Sequence, residues 1–97
     1  MTNVRKTDGS QIGSTIKTLV IEHEGVKIGL IGIAEQEWIA TLGCFDADEL
    51  EYQDFVEATQ EFAYELREKE KCDFIIALTH MRIPNDNLLC KMSLGVD

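Results

Sequence analysis

His80 is the one reactive side chain in this 97-residue sequence whose surroundings suggest a purpose. It ends the run Cys72-Asp-Phe-Ile-Ile-Ala-Leu-Thr-His80. Five consecutive apolar residues, Phe74 to Leu78, lack the alternation of a half-exposed strand. They predict an inner parallel strand over residues 73–79, buried on both faces. In open α/β sheets, ligands gather beyond the carboxyl ends of such strands. A histidine there is a candidate metal ligand or acid/base, and equally a hydrogen-bonded structural residue. Asn85 and Asp86 follow in a polar loop along the same rim. Each is a candidate helix cap, or a support standing behind a ligand.

The other reactive groups form no recognisable site. One histidine and one aspartate cannot hold zinc, which usually takes three protein ligands and water in catalytic centres. No G-x-x-x-x-G-K loop occurs, and the run Gly25-x-x-x-Gly29-x-x-Gly32 is not a G-x-G-x-x-G fingerprint, with Gly29 and Gly32 inside a strand pattern. Ser14 and Ser93 have no adjacent base in the sequence. Glu35 and Glu37 follow a strand end and could reach a site, but a solvated loop is the simpler reading. Asp46, Asp48 and Glu49 lack EF-hand spacing. Trp38 is expected in the core, under a loop, or as the wall of a cleft.

Eighteen acidic against nine basic residues leave a formal charge of −9. That excess argues against unaided binding to nucleic acid or to an anionic membrane. Cys44, Cys72 and Cys90 are odd in number and widely spaced, so neither a disulfide framework nor a zinc knuckle is signalled. Reduced, mostly buried thiols in a cytoplasmic setting are expected. The sequence has no long apolar run and no signal-peptide pattern.

The elements that must position His80 form a single unit. Residues 1–15 read as loop. Residues 16–33 read as a β-hairpin turning at Glu24-Gly25, with Gly29 and Gly32 marking close approach of backbone or helix. Residues 34–50 are irregular, with a short helical turn near Trp38. Residues 51–71 carry apolar positions at helical spacing, acidic at the start and basic at the end. After the strand, Pro84-Asn85-Asp86 opens a second helix over residues 86–94, and Val96-Asp97 resembles the start of another strand. The fold class is α/β, in the order β-β-α-β-α, with a right-handed β-α-β crossover.

Several segments then fall in a telling order: Gly25-Val-Lys-Ile-Gly-Leu-Ile-Gly-Ile33, Leu66-Arg67, Asp73-Phe-Ile-Ile-Ala-Leu-Thr-His80, Asp86 and Gly95-Val-Asp97. The order resembles the middle of the calcineurin-like metallophosphoesterases, especially their 5'-nucleotidase-like branch. The resemblance implies a partial α/β sandwich of the metallophosphoesterase type, with His80 as one ligand of a two-metal centre. The cofactors would be two divalent ions, with Mn, Zn, Fe and Mg equally compatible. The substrate would be a phosphorylated small molecule. D-x-H, G-D-x-x-D, G-N-H-[DE] and G-G-H-x-H motifs do not occur here. The expected entity is therefore a fragment that is inactive alone and binds no metal tightly. Its partner would be the remainder of the catalytic domain, with self-association through exposed sheet edges. A small non-catalytic α/β interaction module is the alternative.

Overall fold

The computed structural model describes residues 1–97, the side chain of Ala47 excepted. Two sheets and three helices form a mixed α/β fold. The central sheet has the order β2-β3-β5, with β2 at Thr18–His23, β3 at Val26–Ala34 and β5 at Phe74–His80. Strands β2 and β3 form the expected hairpin, pairing Leu19 with Leu30 and Ile21 with Ile28. Its turn residues Glu24 and Gly25 both have positive φ, 52° and 82°. Two such residues make the tight turn whose twist matches the flanking strands. Strand β5 pairs parallel to β3, from Ile28 opposite Phe74 to Ala34 opposite His80.

The crossover between them is α2, Phe55–Glu68. Its face of Phe62, Ala63 and Leu66 joins Ile31, Ile33 and Ile75 in the main core. Gly29 makes that contact possible. A Cβ there would lie 2.9 Å from Leu66 Cδ1 and 3.0 Å from Ile75 Cδ1. At Gly32, by contrast, a Cβ would meet only Met1 backbone at 3.9 Å, so close helix approach applies to Gly29 alone.

Several expectations need correction. The helix does not start at residue 51, because Leu50–Tyr52 is a strand, β4, paired antiparallel with β1, Val4–Lys6. Asp54 caps the helix instead, accepting from Val56 N–H at 2.9 Å and Glu57 N–H at 3.1 Å. Nor are residues 1–15 simply a loop. Besides β1, the amino-terminal segment continues the edge of β3 beyond Thr18, the first residue of β2. Thr2 N–H donates to Gly32 O at 2.8 Å, and the Asn3 amide bonds both Ala34 O and Ala34 N–H. Residues 34–50 hold α1, Gln36–Ile39, and a 3-10 turn at Ala47–Glu49. The last helix, α3, is Ile83–Met92 rather than 86–94. Pro84 is inside its first turn, where the missing N–H costs no hydrogen bond. All three cysteines are unpaired, but only Cys72 is buried.

The largest correction concerns β5. It is an edge strand covered on one face. Ile75 is fully buried under α2, whereas Phe74, Ile76 and Leu78 are 51%, 41% and 60% exposed. With Leu19 and Ile21 they form an open apolar face on the side away from α2. Asp97 holds the start of that edge: its N–H donates to Ile75 O at 2.9 Å, and its carboxylate accepts from Ile75 N–H at 3.0 Å and from Arg67.

Two outcomes follow for stability. Gly29→Ala is expected to cost about 1–3 kcal/mol through overpacking against Leu66 and Ile75, read from urea unfolding. The Asp97 carboxyl is held below its ordinary value, first by the Ile75 N–H and also by Arg67, against desolvation that raises it. A depressed folded pKa gives stability that is complete above the unfolded value of about 3.9 and is lost as pH falls through the folded value. Asp97→Asn is therefore expected to lower the urea midpoint near neutrality and to converge with the parent in acid.

Candidate functional site

The parallel register decides which residues meet. Ala34 and His80 are partners at the carboxyl ends of β3 and β5, so the residues that follow each strand share one rim. From β3 come Glu35, Glu37 and Trp38; from β5 and α3 come Thr79, His80, Arg82, Asn85 and Asp86.

Glu35 is the centre of this group. It is 6% exposed, not a solvated loop residue. Its Oε2 accepts from Arg82 N–H at 3.2 Å and from Asn85 Nδ2 at 2.6 Å, while Oε1 accepts from Arg82 Nε at 3.0 Å. Desolvation pushes the Glu35 carboxyl up, but these bonds and the Arg82 charge together outweigh it and hold the group below its ordinary value. Arg82 also reaches Glu37, with Nη2 at 3.4 Å from Oε1. One guanidinium therefore faces two carboxylates, and Arg82 is not a free cation awaiting a phosphate.

His80 is exposed, and its ring lies 4.8 Å from that of Trp38 at a tilt of 55°. That geometry falls within the favourable range for aromatic pairs. A cleft of about 290 Å³ opens beside them, lined also by Met1, Gly32, Leu78 and Thr79. Trp38 thus forms a cleft wall. A more polar recess, about 360 Å³, is lined by residues including Arg5, Lys17, Glu51 and Glu61 and touches neither His80 nor Glu35.

Neither Asn85 nor Asp86 caps α3. The helix starts three residues before residue 86, and its N-cap is Arg82, without a side-chain cap bond. Asn85 instead donates to Glu35, and Asp86 Oδ1 accepts from the Thr79 hydroxyl at 2.7 Å.

The donor chemistry at the rim fits one position of a metal centre. The exposed imidazole of His80 suits a divalent cation, but the Glu35 carboxylate is engaged by Arg82 and Asn85. Among the described residues, no three histidine, cysteine or carboxylate groups are placed to hold an ion. The sequence places Glu35 past a strand end, within reach of a site, but favours a solvated loop; its burial and its bonds to Arg82 and Asn85 overturn that preference.

No protein-family model matches the chain. An apyrase from Tabanus yao is 31% identical over 74 residues, which are 76% of this chain and 13% of that protein. The NAD nucleotidase of Haemophilus influenzae superposes with a TM-score of 0.78 at 19% identity, covering 98% of this chain and 19% of that one. The Bacillus subtilis calcineurin-like phosphoesterase YfkN gives 0.67 at 27% identity, covering 84% of this chain and 26% of that one. The chain thus spans between about an eighth and a quarter of the proteins it matches.

Proposed function

Because this chain has the fold and the sequence pattern of the calcineurin-like phosphoesterases, and of their 5'-nucleotidase-like branch in particular, we propose that it is part of a metal-dependent phosphomonoesterase acting on a nucleotide-like substrate. The observation that carries this reading is the position of His80, exposed at the carboxyl end of β5, with the end of β3 directly alongside.

In this reading, His80 holds one ligand position of a two-metal centre. When bound, such ions supply Lewis acidity towards the phosphoryl group and activate a water molecule. The chain's own residues orient the ligand. The parallel register brings His80 level with Ala34, Trp38 packs against the imidazole, and the Thr79–Asp86 bond ties the end of β5 to the first turn of α3. One imidazole is no catalytic centre, so the 97 residues are inactive alone. The remainder of a catalytic domain is the proposed partner. It would cover the open face of Leu19, Ile21, Phe74, Ile76 and Leu78, which explains why β5 is apolar on both sides although α2 covers only one. Without that cover, the same face and the β5 edge favour self-association.

The open face also supports the second reading, a non-catalytic interaction module. A phosphatase assay on the whole encoded protein separates the two, using a nucleoside monophosphate and Mn²⁺. Turnover that chelation abolishes, and that His80→Ala lowers by at least about 100-fold, is the expected result for a direct ligand, since supporting residues alone give 10–100-fold effects. No turnover in the whole protein, or full turnover in the His80 variant, would contradict the phosphoesterase reading. The 97-residue chain is expected to show none.

A further inference from the structure

We propose that Glu35 is the positioning residue for His80, a latch that fixes both the turn carrying the imidazole and the indole against which it packs. The inference rests on the reading of His80 as a ligand, and it adds how that ligand is held.

Glu35 acts in two directions. Through its backbone it is the N-cap of α1, and Trp38 N–H donates to its carbonyl at 3.3 Å. That bond sets the start of the helix that carries the indole. Through its side chain it takes the N–H and Nε of Arg82 and the amide of Asn85. Only Met81 and Arg82 separate β5 from α3, so fixing Arg82 and Asn85 fixes the backbone on the carboxyl side of His80. The carboxylate also takes the N–H of the N-cap residue Arg82, a bond that a glutamate within the helix makes in a capping box. Here it comes from the residue that follows β3. It satisfies one backbone donor at the start of α3, whose N-cap residue makes no side-chain cap bond.

Two other readings fit less well. An ordinary surface ion pair would leave both partners in water and contribute little, yet Glu35 is almost wholly enclosed. A substrate-binding role for Arg82 would need unspent positive charge, and Glu35 and Glu37 already neutralise it.

Trp38 is the only tryptophan in the chain, so the emission comes from one indole, and its ring current shifts the protons of the His80 ring packed against it. In the metal-free 97-residue chain, Glu35→Gln should move the His80 ring protons away from their indole-shifted positions. It should also change Trp38 emission in the same direction as His80→Ala, with the far-ultraviolet circular dichroism unchanged. Arg82→Lys, at a side chain 63% exposed, should give a smaller shift of the same sign, and it decides the matter alone if Glu35→Gln does not fold. Ring-proton positions equal to the parent's in the folded variants would overturn the latch. In the whole protein, Glu35→Gln should weaken Mn²⁺ binding by roughly 10–100-fold, as expected for a residue that orients a ligand. Unchanged Mn²⁺ affinity in His80→Ala would overturn the metal reading instead, and the metal-free signals separate that failure from failure of the latch.

Discussion

The close approach of Leu66 to Gly29 is the contact on which the arrangement depends. Helix α2 connects two parallel neighbours, and its buried stripe must lie directly on the sheet for β3 and β5 to pair in register. Glycine at that point leaves room for the ends of Leu66, Ile75 and Cys72, which a Cβ would crowd. Once the strands are parallel and level, the residues after Ala34 and His80 have no choice but to share a rim. The chemistry of the rim is therefore a consequence of packing on the far side of the same strand.

On the rim, burial and charge act against each other. Enclosing Glu35 disfavours its ionised form, and three donors from the opposite element restore it. The outcome is a carboxylate spent on geometry rather than on a metal. His80 is treated in the opposite way: it is exposed and held by an aromatic face. This division suits a strand end that presents one ligand and anchors it through its neighbour.

The hairpin was legible because Glu24-Gly25 demands a tight turn, α2 from its helical periodicity, and β3 and β5 from their continuous apolar runs. What escaped was non-local. The pairing of Val4–Lys6 with Leu50–Tyr52 joins two three-residue strands far apart in sequence, too short to show a pattern. The start of α2 was placed early because Glu51, Asp54 and Glu57 all look like a first turn, although Asp54-x-x-Glu57 is close to a capping signature. Glu35 was read as a solvated loop residue because its partners lie 47 and 50 residues away. The apolar run of β5 suggested cover on both faces, while the described residues provide cover on one.

The central claim is that His80 is a metal ligand anchored from the end of the adjacent strand. It is tested most directly by an anomalous-scattering crystal structure of the whole encoded protein grown with Zn²⁺ or Mn²⁺. The account predicts an ion within about 2.1 Å of a His80 ring nitrogen, with Glu35 still bonded to Arg82 and Asn85. A fully occupied metal centre elsewhere, with His80 uncoordinated, would contradict it.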